Sequence, residues 1–112
     1  MDKPNLTVKQ ITEKYGELIA DLKKEHGEIQ AIIIGDKVAF VKKPDRRTLS
    51  FASVAGQKDP MKFNEIVLEN CFVGGDEEIK TDDSLFLAAA SKIVELIEVK
   101  EAELVKLEKH QK

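Results

Sequence analysis

A single cysteine, Cys71, stands in a chain of 112 residues. One thiol closes no internal disulfide and offers no zinc spacing, and it suits a reducing, cytoplasmic setting. No window approaches the roughly 18 consecutive apolar residues that a membrane-crossing helix needs, so no membrane partner is expected. The opening MDKPNLTVKQ carries an acid and a proline and lacks an apolar core, unlike a secretory leader. The sequon Asn5-Leu6-Thr7 therefore has no expected role as a glycan acceptor. Histidine is equally scarce. His26 sits at an expected helix end and His110 two residues from the C-terminus, and neither placement makes a base for Cys71 or a serine. Cys71 itself falls on an apolar stripe, where a thiol serves as a small buried hydrophobe. The VGGDE stretch has neither a following Lys-Ser/Thr nor GxGxxG, so it is not a phosphate loop. The alternate residues Asp76, Glu78, Lys80 and Asp82 imitate a calcium loop, but Lys80 takes a ligand position and Leu87 stands where a bidentate Glu is needed. No enzymatic activity and no cofactor are expected.

Apolar residues make up 42% and charged residues 35%. That is too apolar for a disordered chain, and at this length one domain with a modest core is expected over residues 1–112. Net charge is −3 but uneven: residues 1–62 hold 12 basic and 9 acidic groups, residues 63–112 hold 6 and 12. A mildly acidic whole argues against nonspecific nucleic-acid binding, which accumulates phosphate contacts. The asymmetry suits a charged protein partner or a homo-oligomer, and equally well its own neutralisation inside one molecule.

The spacing predicts a helix over 7–26. Thr7 and Gln10 form a capping box, Leu6 and Ile11 a staple, and Val8, Ile11, Tyr15, Leu18, Ile19 and Leu22 an apolar stripe. Gly27 follows as the stop. Residues 28–43 read as a β-hairpin turning at Gly35-Asp36, where a type II′ turn needs glycine first. Alternation places Val38 and Phe40 on one face and Lys37, Ala39 and Val41 on the other, and the mixed second face suggests a ribbon covered on one side. Such a ribbon must pack on helices or pair with another chain. Short helices are expected over 45–73, capped by Asp45 and by Asp59-Pro60 and interrupted at Gly56. The second carries a buried stripe of Met61, Phe63, Ile66, Val67 and Cys71 and is broken by Gly74-Gly75. From 81 to 109 there is neither Gly nor Pro, and Phe86, Ala90, Ile93, Ile97, Leu104 and Leu107 hold near-heptad spacing with Lys100 breaking the seam, so one long C-terminal helix is expected. The fold class is thus α+β: mostly helical, with one N-terminal β-hairpin and a long C-terminal helix.

The stretch FVKKPDRRTLSFAS concentrates Lys42, Lys43, Arg46 and Arg47. As a nucleic-acid grip these would meet phosphates from a strand end and a helix start. Asp45 offsets that potential, and no aromatics interleave for base stacking, Phe40 and Phe51 being expected in the core. The plainer reading is an exposed strand end leading through Pro44-Asp45 into a helix.

In order and character, VAFVKKPDRRTLSFA, DPMKFNEIVLENCFVGGDEEI and DDSLFLAAASKIVELIE resemble small phage-encoded tail assembly chaperones and related prophage proteins, over roughly residues 28–107. The resemblance implies a non-enzymatic helper in the host cytoplasm that binds the tape measure protein, a long hydrophobic helical rod, and prevents its aggregation. A client helix needs an apolar groove rimmed by charge, and Met61, Phe63, Phe72 and Phe86 are the candidates to line it, with ordinary core the plainer reading for most of them. The alternatives are a nucleic-acid-associated phage accessory using residues 42–47, and a small self-assembling virion subunit joined through the hairpin edge or the last helix.

Overall fold

The computed structural model describes residues 4–97 and 102–107. Helix α1 spans Val8–His26 and opens on the capping box in full: Gln10 N–H donates to Thr7 Oγ1 at 3.1 Å, and Thr7 N–H donates to Gln10 Oε1 at 2.9 Å. It closes at Gly27, whose N–H donates to the Lys23 carbonyl at 2.8 Å. Midway the backbone of Tyr15 leaves helical values, at φ −118° and ψ 19°, beside Gly16. A kink beside glycine is the usual cause of such a break. At this point Tyr15 meets Phe40 edge to face, with ring centroids 5.4 Å apart.

Strands β1 (Ile29–Ile34) and β2 (Lys37–Lys42) pair antiparallel, from Ile29 opposite Lys42 to Ile34 opposite Lys37. Gly35 takes φ +60° and no non-glycine residue described has a positive φ, so the two-residue loop has the II′ form expected. Asn5 and Leu6 bind the turn down: the Gly35 N–H donates to Asn5 Oδ1, and the Leu6 N–H to the Gly35 carbonyl.

Two expectations about this ribbon are corrected. A third strand, β3 (Phe72–Gly75), joins β2, giving the order β1-β2-β3, so the hairpin is part of a three-stranded antiparallel sheet. The sheet is also covered on both faces, and Val38, Ala39, Phe40 and Val41 are all buried. Val38 and Phe40 pack with Ile11 and Leu22 of α1. Ala39 and Val41 pack on the other face with Val67, Leu68, Ala90 and Ile93. A strand between two helical layers reads as a continuous apolar run. This explains why the alternation seemed mixed.

Helix α2 (Arg46–Gly56) is capped by Asp45, which accepts from the Thr48 N–H at 2.8 Å. Helix α3 (Pro60–Cys71) is capped by Asp59, with proline in its first turn. The two helices pack closely, and a Cβ added at Gly56 would lie 3.0 Å from the Phe63 Cβ. Within α3 the buried set is Val67, Leu68 and Cys71, whereas Met61 is exposed and lies off the stripe expected of it. A one-turn helix α4 (Glu78–Thr81) buries Ile79, and helix α5 (Asp83–Ile93) starts on the Asp82 cap.

The long C-terminal helix is also corrected. Helix α5 ends at Ile93 and tightens into a 3₁₀ turn, Val94–Leu96. Residues three apart eclipse in a 3₁₀ turn, and Ile93 and Leu96 are both buried in the cluster that holds Ile32. Residues 102–107 have no regular secondary structure and are exposed, Leu104 fully and Leu107 at 88%. The parts of the expected helix at 98–101 and 108–109 lie outside the described residues.

Candidate functional site

The interior offers no polar constellation, since no polar or charged side chain is buried among the described residues. Cys71 lies wholly inside, at the end of α3. Burial pushes its thiol up to about 11, opposed by the Lys42 charge, so the group is neutral and enclosed. On the surface three places stand out.

The first is the basic stretch. Lys42 closes β2 half-buried, while Arg46 and Arg47 stand exposed in the first turn of α2. Lys43 Nζ lies 3.7 Å from Glu28 Oε2. The Asp45 carboxyl is held below its usual range, first by the Thr48 N–H and then by Lys42 and Arg47. Three of the four cations thus have acidic neighbours built into the strand end and helix cap, so the cluster is partly neutralised where it stands.

The second is the apolar quartet. Phe63, Phe72 and Phe86 are half-buried and pack against the main core. Phe72 stands opposite Val41 in the sheet, with the Lys80 ammonium 5.1 Å from its ring centroid. Met61 alone of the four is exposed, at 45%. The three rings belong to the margin of the core, whereas Met61 stands outside it.

What stands out instead on the helical layer is α2. Phe51, expected in the core, is 64% exposed, and Val54 three residues on is 68% exposed. On a helix this spacing puts both on one face, with Arg47 four residues before Phe51. The inward residues of α2 are Leu49 and Ala52, and Gly56 is pressed against Phe63. The small residues could have revealed this: the close α2–α3 contact leaves no room for a phenylalanine, which must face outward.

The third place is the edge of β1, which pairs only with β2 among the described residues. A groove of about 380 Å³ runs between α1 and β1, bounded mainly by Val8, Ile11, Ile19, Ile29, Ala31 and Ile33, with Thr12 and Lys23 also on its wall. On the opposite face of the same strand a second hollow of about 240 Å³ lies against Gln30, Ile32, Lys92, Glu95 and Leu96. The uncharged run Ile29–Ile34 carried this signal in the sequence.

Among the described residues no helix is long and apolar enough to cross a membrane. Compared with known proteins, the chain matches no family model, no curated protein and no solved structure.

Proposed function

We propose that the protein is a non-enzymatic accessory that binds another protein, in the manner of the phage tail assembly chaperones it resembles, shielding apolar helix surface of a tape measure protein in the host cytoplasm. The observation that supports this reading is the exposed pair Phe51 and Val54 on α2, beside Arg46 and Arg47. An apolar stripe with a charged end is what an amphipathic helix needs for docking, apolar faces meeting at the centre and acids meeting arginines at the rim. Of the earlier candidates, Phe63 packs against Gly56 of α2, Phe72 and Phe86 edge the same core, and Met61 stands exposed in the first turn of α3.

The test is recovery of the tagged chain from its native infected or lysogenic cell, with a high-salt wash and identification by mass spectrometry. The reading expects a long helical tape-measure-like protein that survives the wash and is lost from Phe51→Ser/Val54→Ser. Arg46→Glu/Arg47→Glu should weaken recovery mainly at low salt. Recovery of nucleic acid, lost at high salt and on the arginine substitutions, would overturn the reading in favour of a phosphate grip.

A further inference from the structure

We infer that the free edge of β1 is a self-pairing surface, and that two copies of the chain join antiparallel along β1 into one continuous six-stranded sheet. The inference stands apart from the client reading above and uses none of its residues.

In a two-residue hairpin the residues flanking the loop form a hydrogen-bonded pair, and such pairs alternate along the ladder. Ile34, Ile32 and Gln30 therefore turn their backbone groups toward β2. Ile29, Ala31 and Ile33 turn theirs outward, to an edge on which no strand lies among the described residues. Exposed edges are ordinarily blunted by charge, proline, bulges or brevity. Strand β1 has none of these: its six residues, IQAIII, carry no charge, no Pro and no Gly, and pair with β2 without a break.

The side chains around this edge fit an added strand on both faces. Ile29, Ala31 and Ile33 look into the groove under α1, whose far wall includes Val8, 76% exposed. Gln30 and Ile32 look into the hollow beside α5. The groove under α1 asks for apolar residues and the hollow beside α5, lined by Gln30, Lys92 and Glu95 as well as Ile32 and Leu96, for uncharged ones, and β1 of a second copy brings both. A two-fold axis perpendicular to the sheet keeps like faces together. The second copy's Ala31 and Ile33 then enter the α1 groove, and its Ile32 the α5 hollow.

Charge supports the same occupant. The hollow is rimmed by Lys92 and Glu95, joined at 3.4 Å. A two-fold interface places each patch against its own copy, so it needs a surface that is its own complement. One cation and one anion side by side satisfy that need, because each Lys92 can meet the other copy's Glu95. The uncharged strand between them meets no like charge across the axis.

Sedimentation velocity of the full chain over a concentration series tests the inference. A dimer is expected at chain concentrations on the order of 100 µM. Two substitutions act by different means at an exposed position. With the axis at the middle outward residue, Ala31 of one copy lies opposite Ala31 of the other, so Ala31→Lys sets two like charges there, and Ala31→Pro removes an outward N–H that β2 does not use. Each should weaken dimerisation at least about tenfold while the far-ultraviolet circular dichroism and the unfolding midpoint stay near wild type. A wild-type chain that remains monomeric overturns the inference. So does a dimer indifferent to both substitutions, since its interface would then lie elsewhere, on the 102–107 segment or the α2 stripe.

Discussion

The two edges of the sheet are built in opposite ways. Strand β3 is four residues long, ends in Gly74-Gly75, and shifts register against β2 between Phe40 and Val41. Asp76 then seals its end: its N–H donates to the Val38 carbonyl and its carboxylate accepts from the Val38 N–H, both at 2.8 Å. Charge surrounds it, with Lys80 over Phe72 and Lys37 bonded to Glu78 at 3.1 Å. That bond to Glu78 is the first cause of the Lys37 ammonium being lifted above its usual range. Strand β1 is longer, unbroken and uncharged, and its outward backbone groups have grooves on either side. Short, bulged and charge-flanked edges resist pairing with other chains, and edges like β1 invite it. The difference teaches that one side of this small sheet ends the fold while the other leaves it open.

The comparison breaks most sharply at Gly75. It holds φ +111°, and a Cβ there would stand 2.3 Å from the Val38 carbonyl oxygen, a backbone atom that cannot move aside alone. Gly75→Val should therefore cost about 3 kcal/mol or more, read as a fall in the urea midpoint. Asp76→Ala comes next. It leaves the part-buried Val38 N–H without its carboxylate partner and should cost about 1–2 kcal/mol by the same measurement.

A smaller effect follows from Cys71, which immediately precedes β3. Its thiol is raised from 9.0 to about 11, so the folded chain keeps a proton that the unfolded chain releases. The stability this lends is complete below about pH 9 and is lost as pH climbs toward 11. Measured in urea against Cys71→Ala, the wild-type chain should lose more stability across that window. Equal losses would show that the thiol is not enclosed as described. On the other edge, Ala31→Lys should leave the stability of the single copy within about 0.5 kcal/mol, because the side chain enters solvent. Its whole effect is expected in association.

Much of this architecture was legible where local chemistry sets the structure. The Thr7–Gln10 box, the Gly35-Asp36 turn, and the Asp45 and Asp59 caps need only their immediate neighbours. Strand β3 was not legible because Phe72-Val73-Gly74-Gly75 has little strand character of its own. It is held by β2, and Gly74 lets α1 lie close, with a Cβ there only 3.1 Å from a Leu22 methyl. The second covered face of β2 was hidden for a related reason, since burial on both sides erases alternation. The long C-terminal helix failed differently. Heptad spacing continues past Ile97, but a helical stripe persists in a small fold only where it has a surface to cover. Leu96 finds one beneath β1, whereas Leu104 and Leu107 meet solvent.

The candidate site was less legible than the fold. Asp45 was legible as the offset to the basic stretch, whereas Glu28 reaches Lys43 only through the strand pairing that sets Ile29 opposite Lys42. Aromatic residues were harder to place. Phe51 stands exposed while Phe63, Phe72 and Phe86 edge the core, because which side of α2 faces α3 is set by the fit of Gly56 against Phe63.

The most direct test of the unequal edges is amide hydrogen exchange, residue by residue, in dilute and in concentrated solution. In dilute solution the Gln30 and Ile32 amides should be protected by β2, while those of Ala31 and Ile33 exchange freely. On concentration, Ala31 and Ile33 should become protected while the β3 amides do not change. Unchanged exchange at Ala31 and Ile33, or new protection at β3, would contradict the account.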